Sequence, residues 1–328
     1  MNTAVNGQVC MGQIPGLQRP VSRIFFGTAN PTISRGEDTA ASDLLDSVLA
    51  CGVNAFDCAR SYGRAEQALG KWMESRGCRE QVVLLSKCGD IRDGIVHVDR
   101  QVINEQLARS LEALRTDCID LYLLHRYDPN TPVEEFIDTL NEHQKDGKIR
   151  LFGVSNWPHQ HIEAANRYAA SHGLSGFSVS SPNYGLTRQM QDPWGGGCVT
   201  VAGPENRQAR DWYTRNQMPV IAYSSLGRGF FSGRFKAFDY EAARRVLDVY
   251  SQKGYLFDEN MRRLQRAEVL AERDGISVSE VAMRYFFSSA MNVFAVVSTS
   301  SPDRLQMNIR AASSPLSAAD VQFLEAED

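Results

Sequence analysis

Four polar residues of complementary chemistry lie at, or just beyond, the ends of short apolar runs in the sequence: Asp57, Tyr62, Lys87 and His125. In parallel α/β proteins the carboxyl ends of strands carry the chemistry, so such residues are candidates for one site. A phenol can supply a proton, and a nearby ammonium lowers the phenol pKa from its usual value of about 10. A carboxylate would hold the lysine charged, since burying an unpaired ammonium is costly. Each residue alone could be a cap or an edge residue, but the four together predict a proton-transfer site.

Strand-like and helix-like segments alternate eight times along the chain, which predicts a parallel sheet. With 328 residues, this count favours a closed (β/α)8 TIM barrel with long top-face loops, as one domain over residues 1–328. No Gly-x-Gly-x-x-Gly follows the first strand, which argues against a Rossmann domain. Val9 to Gln13 give a weak signal for a hairpin within residues 1–23. The predicted strands are 23–27, 52–57, 82–87, 119–125, 148–155, 176–181, 218–223 and 292–297. The predicted helices are 37–51, 64–76, 102–114, 131–147, 158–172, 206–216, 259–287 (two helices split at 274–275) and 302–311, with a closing helix over 317–325.

The composition excludes several classes of protein. A net charge of −4 and a pI near 5.9 argue against nucleic-acid or acidic-membrane binding. No apolar run approaches the length of about 18 residues that a membrane span needs, and no signal peptide is visible. The seven cysteines contain no Cys-x-x-Cys pair, so we expect no metal site, and free thiols in a reducing cytoplasm. The oligomeric state is left open.

Two long insertions follow predicted strand ends, at residues 188–204 and 227–258. Long loops in compact domains tend to be functional, so both are candidates to cover a ligand. The second is rich in phenylalanine, and its aromatic side chains could equally pack the loop onto the barrel. Both interpretations carry the same weight at this point.

Taken in order, the motifs resemble those of the aldo-keto reductase family. The matching stretches cover nearly the whole chain: Asp57-x4-Tyr62-Gly63-x2-Glu66-x3-Gly70, Ser86-Lys87, Asp120 to His125, Gly153 to Asn156, Ala222 to Gly227 and Arg304-x3-Asn308. The resemblance implies an enzyme that reduces an aldehyde or ketone to an alcohol, with hydride from NADPH (NADP+ after transfer) and a proton from Tyr62. Lys87 would lower the phenol pKa, Asp57 would hold Lys87, and His125 would hydrogen-bond the substrate oxygen.

The resemblance also implies a set of cofactor contacts. Ser155 and Asn156 would hold the nicotinamide carboxamide, and Tyr223 would stack on the ring. Arg304 would meet the 2′-phosphate, which favours NADPH over NADH. Ser181 stands where the family usually has a glutamine. The full implied set is Gly27, Thr28, Ala29, Asp57, Ser155, Asn156, Ser181, Tyr223, Ser224, Leu226, Arg228, Ser298, Ser300, Arg304 and Asn308.

The candidate substrate walls are Asn30, Tyr127, Trp157 and Trp194, all of which could instead be packing residues. Polar loops tilt the expected small-molecule carbonyl substrate toward sugars or hydroxylated compounds. One alternative is a nicotinamide-binding regulatory subunit with incidental reductase activity. Another uses Lys87 as the Schiff-base lysine of an aldolase-type barrel.

Overall fold

Ten strands lie within the residues that the computed structural model describes, which are 9–36, 38–91 and 95–326. Eight of them are parallel neighbours, and pairing of the last with the first closes the barrel. The (β/α)8 prediction is therefore confirmed. The strands are β1 Met11–Gly12, β2 Val21–Ser22, β3 Ile24–Gly27, β4 Ala55–Asp57, β5 Val83–Cys88, β6 Ile119–Leu124, β7 Ile149–Ser155, β8 Val179–Ser181, β9 Val220–Ala222 and β10 Val293–Val297. The barrel order is β10-β3-β4-β5-β6-β7-β8-β9.

The barrel strands are separated by helices that surround them. Within the described residues these are α1 Pro31–Ser34, α2 Asp38–Ala50, α3 Ala65–Arg76, α4 Arg100–Leu114, α5 Val133–Lys145, α6 His159–Ser171, α7 Arg207–Asn216, α8 Tyr240–Val246, α9 Val249–Tyr255, α10 Asp258–Asp274, α11 Val278–Phe287, α12 Pro302–Ala312 and α13 Ala318–Glu325. None of the described helices is long and apolar enough to cross a membrane.

The two-residue period of the strands explains why polar residues meet at one end of the barrel. Val83 and Leu85 point into the barrel core, whereas Leu84 packs outward against the helices. Successive strand side chains point to opposite faces, so the next inward position on β5 is Lys87. The same count on the other strands places a ring of polar residues above the apolar core. The residues that continue this inward register are Asp57, Lys87, His125, Ser155, Ser181 and Tyr223.

The opposite end of the barrel is closed by the chain before β3. Strands β1 and β2 form the expected antiparallel hairpin. Ile14, Leu17 and Val21 bury their side chains in the same cluster as the inward residues Phe25 and Leu121. This apolar plug fills the floor, and it leaves the carboxyl ends of the strands as the open face.

Most helix starts differ by one or two residues from the sequence prediction, and two of them have a local explanation. The helix expected at 37–51 is α2, and it is preceded by the unpredicted single turn α1, which Asn30 caps by accepting a hydrogen bond from the Ile33 amide. Glu37 itself lies outside the described residues. The helix expected at 131–147 begins only at Val133, because Thr131 donates its hydroxyl to the carbonyl of Val98 instead of capping.

The insertion 227–258 is mainly a packing element. Phe230, Phe231 and Phe235 are buried in a second apolar cluster that includes residues of α10 and α11. Phe238 in contrast remains 44% exposed. The split predicted at 274–275 is confirmed, since α10 ends at Asp274 and Gly275 adopts a left-handed φ of 65°.

Candidate active site

Three of the four predicted polar residues form one contact group at the open end of the barrel. The Nζ of Lys87 pairs with Oδ1 of Asp57 and also donates to the Cys58 carbonyl at 2.9 Å. It lies 3.3 Å from the Tyr62 hydroxyl. The His125 ring stands edge-on to the Tyr62 ring with centroids 5.9 Å apart. Asp57, Lys87 and His125 are all buried.

The loop between β4 and α3 presents the Tyr62 phenol to Lys87. Gly63 makes the turn possible, because it has φ of 60° and a Cβ there would lie 2.7 Å from the Ser34 carbonyl. The buried carboxylate of Glu66 fixes the loop by accepting from Arg60 at 2.7 Å and from the Ser86 hydroxyl at 2.7 Å. The requirement for glycine at position 63 is therefore steric, and Ser34 of α1 supplies the carbonyl that creates it.

Burial decides the direction of the pKa shift of Tyr62, whereas neighbouring charges decide that of Lys87. Burial lowers the pKa of Lys87, but Asp57 and Tyr62 raise it further, so the net shift is upward and the amine is charged. Burial also raises the pKa of Tyr62, to about 12, and the lowering effect of Lys87 does not offset it. Lys87 lowers the phenol pKa as expected, but the net shift is upward, because desolvation of the phenolate costs more than the ammonium returns.

A second polar group lies on the other side of His125, and sequence reasoning missed it. Asp90 accepts from Arg126 Nε at 3.2 Å, and its second oxygen lies 3.6 Å from Nδ1 of His125. Arg126 also donates to the Cys198 sulfur at 3.0 Å. Burial lowers the pKa of His125 to about 3, and Lys87 and Arg126 add to this against the opposing charge of Asp90. His125 is therefore neutral at physiological pH.

Asn156 and Tyr223, the expected nicotinamide contacts, are joined by a hydrogen bond. The Asn156 Nδ2 donates to the His125 carbonyl at 3.2 Å and to the Ser155 hydroxyl at 3.1 Å. Its Oδ1 accepts from the Val199 amide at 3.2 Å and from the Tyr223 hydroxyl at 2.7 Å. An amide side chain has two donors and two lone pairs, so all four hydrogen-bonding positions of Asn156 are occupied.

Ser155 and Ser181 also lie together, since the Ser155 hydroxyl donates to the Ser181 carbonyl at 2.8 Å. Directly after β3, the Thr28 hydroxyl and amide both donate to the Asp57 carbonyl, at 2.9 and 3.0 Å. A Cβ at the adjoining Gly27 would make a tight contact of 3.1 Å with the Val296 side chain. These residues support the site through the backbone, and Ala29 beside them is exposed.

The insertion 188–204 lies directly over the Asn156 and Tyr223 pair. Its Val199 amide binds Asn156, and its Trp194 ring meets the Tyr223 ring edge-on at 5.7 Å. Asp192 holds the tip by accepting from the amides of Trp194 and Cys198, at 2.8 and 2.7 Å. Of the two interpretations of this insertion, the structure therefore favours cover.

The segment after β9 has an unusual backbone. Ser224 and Arg228 both adopt left-handed φ values, 55° and 51°, and the Gly227 amide donates to the Ser224 carbonyl at 2.8 Å. Leu226 packs against both outer apolar clusters. The Arg228 guanidinium binds Asp248 at 2.7 Å and lies 5.3 Å from the centre of the Trp194 ring.

Helix α12 begins at Pro302, as the sequence predicts, and Ser301 is its N-cap. Arg304 is exposed, and its Nε donates to the Thr299 hydroxyl at 3.1 Å. Ser298 and Ser300 are exposed beside it. Asn308 is buried, and its Oδ1 has no hydrogen-bond partner among the described residues.

The four candidate substrate residues have different surroundings in the structure. Trp157 was wrong as a substrate wall, because it is fully buried outside the barrel between Phe136 and Phe177. Asn156, with φ of 60°, turns the chain after β7 and so directs Trp157 away from the open face. Tyr127 stacks on His161 at 4.3 Å.

Asn30 caps α1 through its oxygen, and its Nδ2 is buried without a partner among the described residues. Trp194 is half-buried above the site, where the insertion 188–204 places it. Asn30 and Trp194 thus remain the better-placed candidates for substrate contact.

No cluster of three or more metal-ligating side chains occurs in the described ranges. Cys58 and Cys88 point outward from the barrel strands and are buried in the outer core. Burial raises the pKa of each thiol to about 12. Both are therefore packing residues and not nucleophiles.

A closed (β/α)8 barrel with buried ionisable groups at the carboxyl ends of its strands defines a barrel enzyme. The sequence pattern of the aldo/keto reductase family matches residues 23–327, and the chain belongs to that family. It is thus an oxidoreductase of a family that uses a nicotinamide cofactor.

Named relatives agree with this assignment. The aldo-keto reductase str7 of Strobilurus tenacellus is 28% identical over 281 residues, covering 85% of this chain and 78% of the relative. The probable aryl-alcohol dehydrogenase AAD4 of Saccharomyces cerevisiae is 28% identical over 299 residues, covering 87% and 86%. The aldo-keto reductase yakc [NADP(+)] of Schizosaccharomyces pombe is 25% identical over 308 residues, covering 91% and 83%.

Proposed function

We propose that the protein is an NADPH-dependent reductase that converts an aldehyde or ketone to an alcohol, with Tyr62 as the proton donor. The observation that carries this proposal is the buried contact of Lys87 with both Asp57 and the Tyr62 hydroxyl, at the open end of the barrel. It gives the phenol a fixed ammonium neighbour in a site where water is scarce. The intact group also argues against a regulatory subunit, since a protein that only bound nucleotide would not need it.

A bound nicotinamide cofactor supplies the hydride. As the substrate oxygen gains negative charge, Tyr62 donates its proton to that oxygen. The charged Lys87 then stabilises the phenolate that is left, and Asp57 keeps Lys87 oriented. His125 stands beside Tyr62 and contacts the same oxygen. The first insertion and Trp194 exclude water from above.

The residues present fit such a cofactor at several points. The unpartnered Oδ1 of Asn308 is available to an adenine amino group, and the N-terminus of α12 with Arg304 suits a phosphate. The Tyr223 ring is available for stacking. Ser224, Leu226 and Arg228 would follow the pyrophosphate. Arg304, an exposed cation at a helix N-terminus, supports the choice of NADPH over NADH.

Around the expected substrate position, aromatic rings lie above the open end of the barrel and charged groups lie beside His125. Trp194 and Tyr223 present ring edges and faces over the cleft, while Asp90 and Arg126 flank His125. This favours a planar carbonyl compound that carries a polar substituent. The relative AAD4 is named as an aryl-alcohol dehydrogenase, which agrees with an aromatic carbonyl substrate. A hydroxylated sugar as substrate stays a prediction, which the substrate panel described below tests. We place the enzyme in the cytoplasm, where its free cysteines would stay reduced.

The test is the loss of NADPH absorbance with a panel of aromatic aldehydes, aliphatic ketones and keto-sugars, with NADH in parallel. We expect turnover with at least one class of carbonyl and a preference for NADPH. If the purified protein binds NADPH but oxidises it with none of the panel, the reductase assignment fails.

A further inference from the structure

Arg126 is a buried cation beside His125, and its hydrogen bonding is incomplete. Its side chain is 7% exposed, and its Nε donates to Oδ1 of Asp90 at 3.2 Å. Its Nη1 donates to the Cys198 sulfur at 3.0 Å, and sulfur is a weak acceptor. Its Nη2 has no partner among the described residues and is not one of their buried unpartnered atoms, so solvent reaches it. One end of the guanidinium is therefore open to a ligand.

A guanidinium that only braces the fold has different surroundings in the same barrel. Arg79, near the amino ends of the strands, donates from all three nitrogens. Its Nε binds the Thr116 hydroxyl at 3.1 Å, and its Nη1 and Nη2 bind the carbonyls of Val82 and Cys118 at 3.0 and 2.7 Å. A buried cation without acceptors is costly, so the more deeply buried Arg126 would need the fuller set. Its incomplete set indicates that a ligand supplies an acceptor.

The Arg126 guanidinium lies among the groups of the proposed site. It shares the Asp90 carboxylate with His125, whose Nδ1 is 3.6 Å from the second carboxylate oxygen. Its thiol contact, Cys198, belongs to the covering insertion 188–204. Burial raises the pKa of Tyr223, and the charge of Arg126 opposes this shift, so the guanidinium acts on that phenol as well. Arg126 is therefore close both to the proposed ligand of the substrate oxygen and to the ring proposed to stack on the nicotinamide.

The acceptor that best suits a guanidinium is a carboxylate, because its two oxygens match a pair of N–H groups and the hydrogen bonds are charge-assisted. We infer that Arg126 is a specificity-determining residue, which binds a carboxylate of the substrate through Nη2 and, in place of the thiol, through Nη1. The substrate class is then an aromatic aldehyde or ketone that carries an acid group. This inference rests on the proposed function, since it names the substrate class of that same site.

The test compares the three ring isomers of carboxybenzaldehyde with their methyl esters as substrates, with NADPH. We expect at least one acid to exceed its ester in kcat/KM by about 10- to 100-fold, the range for a charge-assisted hydrogen bond. Arg126→Gln should bring this ratio close to one, mainly through KM for the acid. Asp90→Asn should raise the ratio, because a negative charge beside the bound carboxylate is removed. A ratio near one in the wild type, or a wild-type ratio in Arg126→Gln, overturns the inference.

Arg210→Gln is the matched control, because Arg210 holds the foot of the same insertion through the carbonyls of Val201 and Gly203. It should keep the wild-type ratio of acid to ester even where a looser insertion slows both reactions. An equal fall of the ratio in Arg210→Gln overturns the inference, since the effect would then come from the insertion. If Arg126→Gln does not fold, the wild-type ratio and its rise in Asp90→Asn decide, and a ratio that does not rise there counts against the carboxylate.

Binding separates this inference from the proposed function. The corresponding carboxybenzyl alcohols and their methyl esters are titrated calorimetrically into the protein with NADPH present, with which an alcohol cannot react. We expect tighter binding of one acid than of its ester, and loss of this difference in Arg126→Gln. That result supports the carboxylate site even if no carbonyl compound is reduced, in which case only the proposed function fails. Turnover of aldehydes without any preference for an acid, in binding or in kcat/KM, overturns the role of Arg126 alone.

Discussion

The saturated hydrogen bonding of Asn156 leads to a prediction of unusual sign: Tyr223→Phe should bind NADPH more tightly than the wild type. If Asn156 holds the carboxamide, one of its four bonds must be given up, and the Tyr223 hydroxyl at 2.7 Å is the partner free to leave. The Val199 amide is fixed by the backbone of the covering insertion. Losing a neutral hydrogen bond costs about 0.5–1.5 kcal/mol, which is a factor of about 2 to 10 in Kd.

The phenylalanine ring keeps the stacking surface and removes the bond before the cofactor arrives, so the variant should gain that factor. The same change should lower the free energy of unfolding of the free protein by about 1 kcal/mol. Tyr213→Phe is the matched control, because the Tyr213 hydroxyl makes a comparable buried bond of 2.8 Å to Ser180 on the helix-facing side of β8. It should lose similar stability without a change in Kd.

Isothermal titration of NADPH, together with thermal unfolding of each free protein, measures both quantities. An unchanged Kd in Tyr223→Phe would mean that Asn156 keeps all four bonds and that the carboxamide binds elsewhere. A Kd weakened by the same factor would mean that the Tyr223 hydroxyl itself contacts the cofactor. Either result refutes the reasoning from Asn156.

Three further outcomes follow from the site. Tyr62→Phe should reduce carbonyl turnover by about 100- to 10,000-fold while NADPH still binds, as a titration of the variant would show; near-normal turnover would remove Tyr62 as the donor. Arg304→Ala should erase most of the NADPH preference, and in the wild type the gap to NADH should narrow as salt rises, since screening weakens the ionic contact; equal wild-type affinities would contradict the role of Arg304. Burial raises the pKa of Asp90, but His125, Ser61, the Ile91 amide and Arg126 lower it to about 2. The ionised Asp90 therefore contributes its full stabilisation of the fold above the unfolded pKa near 3.8 and loses it as the pH falls toward 2. Acid unfolding of Asp90→Asn should be less steep than that of the wild type in this range.

The inward register explains how much of the site was predictable from the sequence. Asp57, Lys87 and His125 follow apolar runs whose alternate residues face the barrel core, so the strand period alone brings them to one end. The ten predicted helices all appear in order, but α1, α8 and α9 were not predicted, and most helix starts differ by one or two residues. The helix predicted from residue 131, for example, begins at Val133, and the Thr131 hydroxyl instead donates to the Val98 carbonyl 33 residues away.

The misplacement of Trp157 has a local cause. It follows Asn156 in sequence, and continuing the strand by one step would have placed it near the cleft. The left-handed φ of Asn156 ends the strand register and sends Trp157 into the outer core. Asparagine tolerates this conformation, but the sequence does not say which asparagine will use it.

The group of Asp90, Arg126 and Cys198 was missed for a different reason. A lone acid and a lone arginine in loops resemble solvated charges. Their contact joins residues 36 positions apart, and the thiol comes from an insertion 72 positions further on. Only closure of the barrel brings these loops together. The one available signal was position, since Arg126 directly follows His125 and Asp90 closely follows Lys87.

The raised pKa of Tyr62 is compatible with the proton donation that we propose for it. An alkoxide is about as basic as hydroxide, whose conjugate acid, water, has a pKa of about 15.7. A phenol with a pKa of about 12 is a stronger acid than that, so transfer to the newly formed alkoxide is downhill. The high value also keeps Tyr62 protonated throughout the physiological range. What Lys87 contributes is a fixed positive charge 3.3 Å from the oxygen that becomes negative, and this contribution grows as the proton leaves.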